Sequence, residues 1–118
     1  MASNVWRGLN SLRTLTLARN ELTTWKNFDT LANLEDLDLS NNKITEIDDF
    51  SRLPKLKLLQ LSQNQIKTLP INAFAGLTAL KTLSLRQNDI ADLPAQTFLD
   101  LKSLTTLDMS HNLLISVG

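Results

Sequence analysis

A chain of 118 residues with twelve basic and twelve acidic side chains carries no net charge at neutral pH. That balance excludes the basic footprint of a nucleic-acid-binding domain and the cationic face of a membrane-surface protein. No apolar run approaches the roughly 18 residues of a membrane helix, and no apolar signal region follows Met1. Cysteine is absent, which rules out disulfide staples and thiolate metal sites. One domain is the bound at this length, residues 1–118, and its core must come from regular packing.

Taken in order, the chain repeats itself. It opens on Trp6, Gly8 and Leu9, then runs through five equivalent frames. These are Leu12-Leu15-Leu17, Leu34-Leu37-Leu39, Leu56-Leu59-Leu61, Leu80-Leu83-Leu85 and Leu104-Leu107-Met109. Three residues after each frame comes an asparagine: Asn20, Asn42, Asn64, Asn88 and Asn112, at spacings of 22, 22, 24 and 24. Two residues beyond each asparagine stands Leu22, Ile44, Ile66, Ile90 or Leu114. Five beyond it stands Trp25, Ile47, Leu69, Leu93 or Val117. Such self-similarity is the mark of a solenoid.

The pattern L-x-x-L-x-L-x-x-N-x-L over essentially the whole chain resembles a leucine-rich repeat protein. The resemblance implies an α/β-type repeat solenoid. It would be a curved array with a concave parallel β-sheet, one short strand per repeat, and little or no regular α-helix on the convex side. Elementary geometry agrees: Leu83-Ser84-Leu85 alternates as a strand does. Parallel strands also require a crossover between them, and each unit has an apolar face that only a neighbour can bury.

The asparagines are expected to form a structural ladder. A tight turn buried between layers strands backbone N–H and C=O groups, and an amide supplies two donors and an acceptor to pair them. A second column holds Phe28 and Phe50, eight residues after their asparagines, and Phe74 and Phe98, ten after theirs. Aligned aromatics suggest a stacking platform for a ligand. Their register with Leu31, Leu53, Leu77 and Leu101 favours a buried spine, with Trp6 as its first member.

By this alignment a half-repeat covers residues 3–11, repeats start at Leu12, Leu34, Leu56 and Leu80, and a final partial repeat starts at Leu104. From Ser3 to Gly118 the chain amounts to a whole number of repeats with no recognisable cap. Uncapped solenoid ends are expected to pack on something: another copy head-to-tail, or further repeats. The 24-residue units carry Leu69-Pro70 and Leu93-Pro94, and proline favours an irregular or extended outer segment there. The 22-residue units are expected to tighten into 3₁₀ turns. The longer type resembles repeats of extracellular proteins such as Toll-like receptors and the variable lymphocyte receptors of jawless fish. The shorter resembles cytoplasmic members. An extracellular location is favoured over a cytoplasmic one, although cysteine-rich flanking modules and N-x-Ser/Thr sequons are lacking.

Chemistry has few places to sit. The lone imidazole, His111, stands at a turn before Asn112 and has no nucleophile assigned to it. The three glycines are isolated, so no phosphate-cradling loop exists. Asp48-Asp49 reads as a solvated outer pair. Asp36 and Asp38, two apart on a strand, point to the same concave side, where they would accept a partner's Lys or Arg. No catalytic residue, metal or cofactor is expected, and no enzyme activity.

The concave face reads as a grid. Its central members are Asp36, Asp38, Leu58, Gln60, Ser84, Arg86 and Asp108, flanked by a ridge of Arg19, Asn41, Gln63, Gln87 and His111. Leu58 is expected as an exposed apolar residue ringed by polar ones, as interface centres are built. The function implied is a non-catalytic scaffold that binds a protein or peptide, within a larger receptor or adaptor. The alternative is a designed or excised repeat segment that self-associates through its ends. Neither nucleic acid nor membrane insertion is expected.

Overall fold

The computed structural model describes residues 12–25, 32–47, 50, 53–70, 72–93, 95–113 and 116–117, with the backbone alone at 92, 93, 95, 96, 116 and 117. Within them the strands are β1 (Thr14–Thr16), β2 (Thr24–Trp25), β3 (Asp36–Asp38), β4 (Glu46–Ile47), β5 (Leu58–Gln60), β6 (Thr82–Ser84), β7 (Asp92–Leu93), β8 (Thr106–Asp108) and β9 (Ser116–Val117). β1, β3, β5, β6 and β8 form one parallel sheet in that order. The middle leucines stay in register through it, Leu15 opposite Leu37, then Leu59, Leu83 and Leu107. Each strand therefore sits one layer above its equivalent, and the described residues form a β-solenoid without α-helix.

The alternation of each frame drives this. In β3 and β6 the central leucine is fully buried while its two neighbours are half-exposed. The frame leucines of the middle layers, such as Leu34, Leu37 and Leu39, have no solvent exposure. Full burial of one such side chain contributes about 1.5–3 kcal/mol. Burial fades outward. Leu12, Leu15, Leu17 and Leu104 are only partly buried, and Leu107 on β8 is 42% exposed.

Each layer turns at the residue before its asparagine. Arg19, Asn41, Gln63, Gln87 and His111 all hold φ between 57° and 60°, the left-handed region. The reversal aims the next side chain inward. Asn64 Nδ2 then donates to the Leu61 carbonyl of its own layer at 3.1 Å and to the Leu39 carbonyl of the preceding layer at 3.1 Å. Its Oδ1 accepts from the Ile44 N–H at 3.1 Å. Asn42, Asn88 and Asn112 repeat the pattern on their own neighbours. Among the described residues exposed Asn20 reaches its own layer, through the Leu17 and Ala18 carbonyls.

The aromatic column is a stack. Phe50 and Phe74 lie with ring centroids 6.1 Å apart and Phe74 and Phe98 at 6.0 Å, each pair inclined by 10°, within the range of offset stacking. Trp25 extends the column, its ring 5.7 Å from Phe50. By alignment it belongs opposite Ile47, and its backbone does pair there. The indole is long enough to reach the neighbouring column as well. Phe28, Trp6, the half-repeat 3–11 and Asp48-Asp49 lie outside the described residues.

The outer side departs from expectation in one respect. A 24-residue unit, whose outer segment is expected to be irregular or extended, carries a 3₁₀-helix at Ala95–Phe98, while much of the outer segment of the 22-residue units lies outside the described residues. Both lengths share the closing turn, in which Leu53 N–H donates to Phe50 O and Leu77 N–H to Phe74 O. The two extra residues fall before the phenylalanine, where they supply one further i to i+3 turn, as in Ala73 N–H to Pro70 O. Proline assists such a turn, because its fixed φ of about −65° is also that of a 3₁₀ residue.

Asn64→Ala is expected to lower unfolding free energy by about 1–3 kcal/mol, because it strands buried backbone groups in two layers. Asn20→Ala should cost less. Phe74→Ala should cost about 3–5 kcal/mol. Urea denaturation of the three variants checks the ranking.

Candidate concave binding face

The outward residues of the large sheet form rows. Register places Thr14, Asp36, Leu58, Thr82 and Thr106 in one row and Thr16, Asp38, Gln60, Ser84 and Asp108 in the next. Asp36, Asp38, Leu58, Gln60, Ser84 and Asp108 are thereby brought to one face, with Arg86 just past the end of β6. Neighbouring strands lie about 4.8 Å apart, so the rows span roughly 20 Å. Leu58 is half-buried rather than exposed. Between residues on both flanking strands it keeps only an edge in water.

Three of the charged groups, Asp38, Arg86 and Asp108, are held in place. Asp38 Oδ1 accepts from the Ser40 N–H at 3.0 Å and from Ser40 Oγ at 2.6 Å. Asp108 repeats this with Ser110 at 3.0 and 2.6 Å. Arg86 Nη1 donates to Ser110 Oγ at 3.2 Å and lies 3.9 Å from Asp108 Oδ2. The hydrogen bonds from Ser110, side chain then backbone, hold the Asp108 carboxyl below its usual value, and the Arg86 charge assists. These serine locks were overlooked from sequence. The Asp-x-Ser spacing at Asp38-Leu39-Ser40 and Asp108-Met109-Ser110 is their signal.

The flanking ridge is first a set of strained turns. Four of its residues donate their backbone N–H groups to the next layer, as Gln63 does to Arg86 O at 2.8 Å. Among its side chains Gln63 Nε2 donates to Gln87 Oε1 at 3.1 Å. His111 is exposed, and among the described residues no three His, Cys, Asp or Glu side chains gather as a metal-ligand group.

Among the described residues, clefts also lie off the concave face. One of about 280 Å³ lies between Glu46-Ile47 and Thr68-Leu69-Pro70. It marks a side sheet not anticipated from the alternation. β2 pairs with β4 and β7 with β9, but residues 68–69 between them form no strand. The interruption falls where 22-residue repeats give way to 24-residue ones. Another cleft, of about 200 Å³, is lined by Arg13, Asn33, Glu35 and Lys55 at the entry to the strands.

A stacked-layer solenoid with an asparagine ladder defines the class, and the comparisons agree. The leucine rich repeat family model matches residues 11–66 and 54–114, and the chain belongs to that family. It is similar to a leucine-rich repeat protein of Leptospira interrogans, with TM-score 0.89 and 31% identity, over 100% of this chain and 30% of that one. It is similar also to TLR13 in its complex with ssRNA13, with TM-score 0.73 and 34% identity, over 98% of this chain and 20% of that one. The chain thus spans under a third of the length of either solved protein. No curated protein sequence matches it.

Two expectations follow. Ser110→Ala should raise the Asp108 pKa towards that of an ordinary aspartate, read by NMR titration of the carboxyl. Because the native pKa is the lower one, the lock contributes stability above the ordinary carboxylate range and loses it as pH falls through the lowered value. At the ridge, Gln63→Gly should be neutral or stabilising, whereas Gln63→Val should cost about 1–2 kcal/mol from the left-handed backbone, as denaturation midpoints will report.

Proposed function

We propose that this chain is a non-catalytic scaffold that binds a protein or peptide through its concave sheet, as part of a larger leucine-rich repeat receptor or adaptor. The observation that carries this reading is the division of labour along the strands. Inward residues are spent on the core and the asparagines on the ladder. The outward rows are in register and serve no packing purpose. A surface held rigid by its layers loses little entropy when a partner docks. Half-buried Leu58 offers an apolar contact, and Asp36 and Asp38 beside it offer charge.

TLR13 is found in a complex with ssRNA13. A nucleic-acid ligand suits the concave face of this chain poorly. Among the described residues its outward positions on and just past the strands hold Asp36, Asp38 and Asp108 against one cation, Arg86, which is tethered to Asp108. Phosphates need the opposite sign.

A second reading, end-to-end association, is favoured by Leu107. Its equivalents Leu37, Leu59 and Leu83 have 0% exposure, whereas Leu107 on the edge strand β8 has 42%. A neighbouring layer, from a second copy or from further repeats, would cover it.

One experiment separates the readings. Peptides selected from a random display library against the immobilised chain should bind Leu58→Asp and Asp36→Asn/Asp38→Asn at least about tenfold more weakly. Mass by light scattering should be unchanged in those variants. Peptides that bind them as well as the parent would remove the concave reading. Mass that rises with concentration and falls in Leu107→Asp supports association through β8, and a strictly monomeric parent sinks it.

A further inference from the structure

We infer that the strand-entry rim of the solenoid, centred on the cleft between Arg13 and Lys55, is a second docking site that takes an acidic peptide segment. The residue just before each strand of the large sheet is Arg13, Glu35, Lys57, Lys81 and Thr105 in successive layers. Their backbones stack directly. Glu35 N–H donates to Arg13 O at 2.7 Å, Lys57 N–H to Glu35 O at 2.7 Å, Lys81 N–H to Lys57 O at 2.8 Å and Thr105 N–H to Lys81 O at 2.9 Å. The row therefore climbs about 4.8 Å per layer. Lys55 adds a fourth cation beside it, its Nζ donating to Asn33 Oδ1 at 2.7 Å.

Only one carboxylate interrupts the row, and it is spoken for. Glu35 Oε1 lies 3.5 Å from Lys57 Nζ. Asp36, the next residue, belongs to the outward row of the concave sheet. Arg13 is exposed and has no side-chain hydrogen bond or ion pair among the described residues. With Lys55, Asn33 and the Lys57-paired Glu35 it lines a cleft of about 200 Å³, room enough for a carboxylate-bearing side chain. An exposed guanidinium beside an ammonium and an amide is a donor-rich receptor for such a group. Lys81, two layers above Glu35, carries the positive potential onward along the rim.

Spacing and composition select the occupant. An extended peptide places alternate side chains about 6.6 Å apart, so a short run of glutamates or aspartates spans the rim from Arg13 to Lys81. A nucleic acid would look for aromatic platforms as well as cations. The described aromatic rings are instead committed to the internal stack, Trp25, Phe50 and Phe74 being buried and Phe98 half-buried. The site is independent of the concave sheet, whose excess charge is of the opposite sign. A partner carrying both an acidic segment and a basic contact would engage the two faces together.

The probe is a fluorescein-labelled oligoglutamate peptide, titrated by anisotropy against the full chain at low salt. Binding should weaken with added salt. Arg13→Gln and Lys55→Gln should each reduce affinity by about tenfold. Lys43→Gln and Lys67→Gln remove the same charge at exposed positions beyond the ladder asparagines and should leave it unchanged. All four side chains are exposed, so circular dichroism should match the parent. No binding of the peptide overturns the proposal. Equal losses in all four variants would mean diffuse charge and overturn it too. Tighter binding of a labelled single-stranded oligonucleotide than of the peptide overturns the assignment of the partner.

Discussion

The constraint on which the structure depends is the buried turn that closes each layer. A chain that climbs a solenoid must reverse direction inside the stack, where water cannot satisfy its backbone. The left-handed residue makes the reversal, and the asparagine after it returns the lost hydrogen bonds, two ways within its layer and two ways to the layer before. An aspartate would lack the donors and a leucine would lack everything. Because the amides of Asn42, Asn64, Asn88 and Asn112 reach backward, layers are joined in pairs. The leucine frames can then stack in register, and the aromatic column on the far side fills the space that the outer turns leave.

That arrangement frees particular side chains and fixes where they stand. Each strand of the five-stranded sheet has one inward residue and two outward ones, so the outward rows become a rigid surface whose chemistry is set almost entirely by sequence. On the concave side the charges are mainly carboxylates, with Asp38 and Asp108 held by serines and Arg86 drawn onto β8. At the strand entry the charges are mainly cations, with Glu35 taken by Lys57. A neutral chain thus presents two faces of opposite character a few residues apart. Net charge is a poor guide to partners when a repeat sorts its charges by position.

Much of the fold was legible because its period is simple. Leu37, Leu59 and Leu83 announce a strand by alternation and a layer by spacing, and the same ruler places the phenylalanines in one column. The features that escaped lack a period or depend on reach. The side sheet rests on two-residue strands too short to alternate, and its break at residues 68–69 sits where the repeat length changes. The 3₁₀-helix at Ala95–Phe98 uses the spare chain of a longer unit, whose local winding no period announces. Trp25 joins the aromatic stack through the size of its ring. On the concave face, sequence named the outward residues correctly but not their state. Leu58 proved half-buried, since exposure depends on what stands on the flanking strands.

The sequence by itself determined the solenoid, the register of its layers, the ladder and the identity of the outward rows. Those follow from local alternation and a fixed spacing, which every frame states again. Tertiary structure alone decided the side-chain pairings between layers: Lys57 with Glu35, Lys55 with Asn33 and Arg86 with Ser110. These join residues 22 or more positions apart. Their closeness is created by the stacking of layers, and their geometry by short-range contacts that a repeating pattern does not encode.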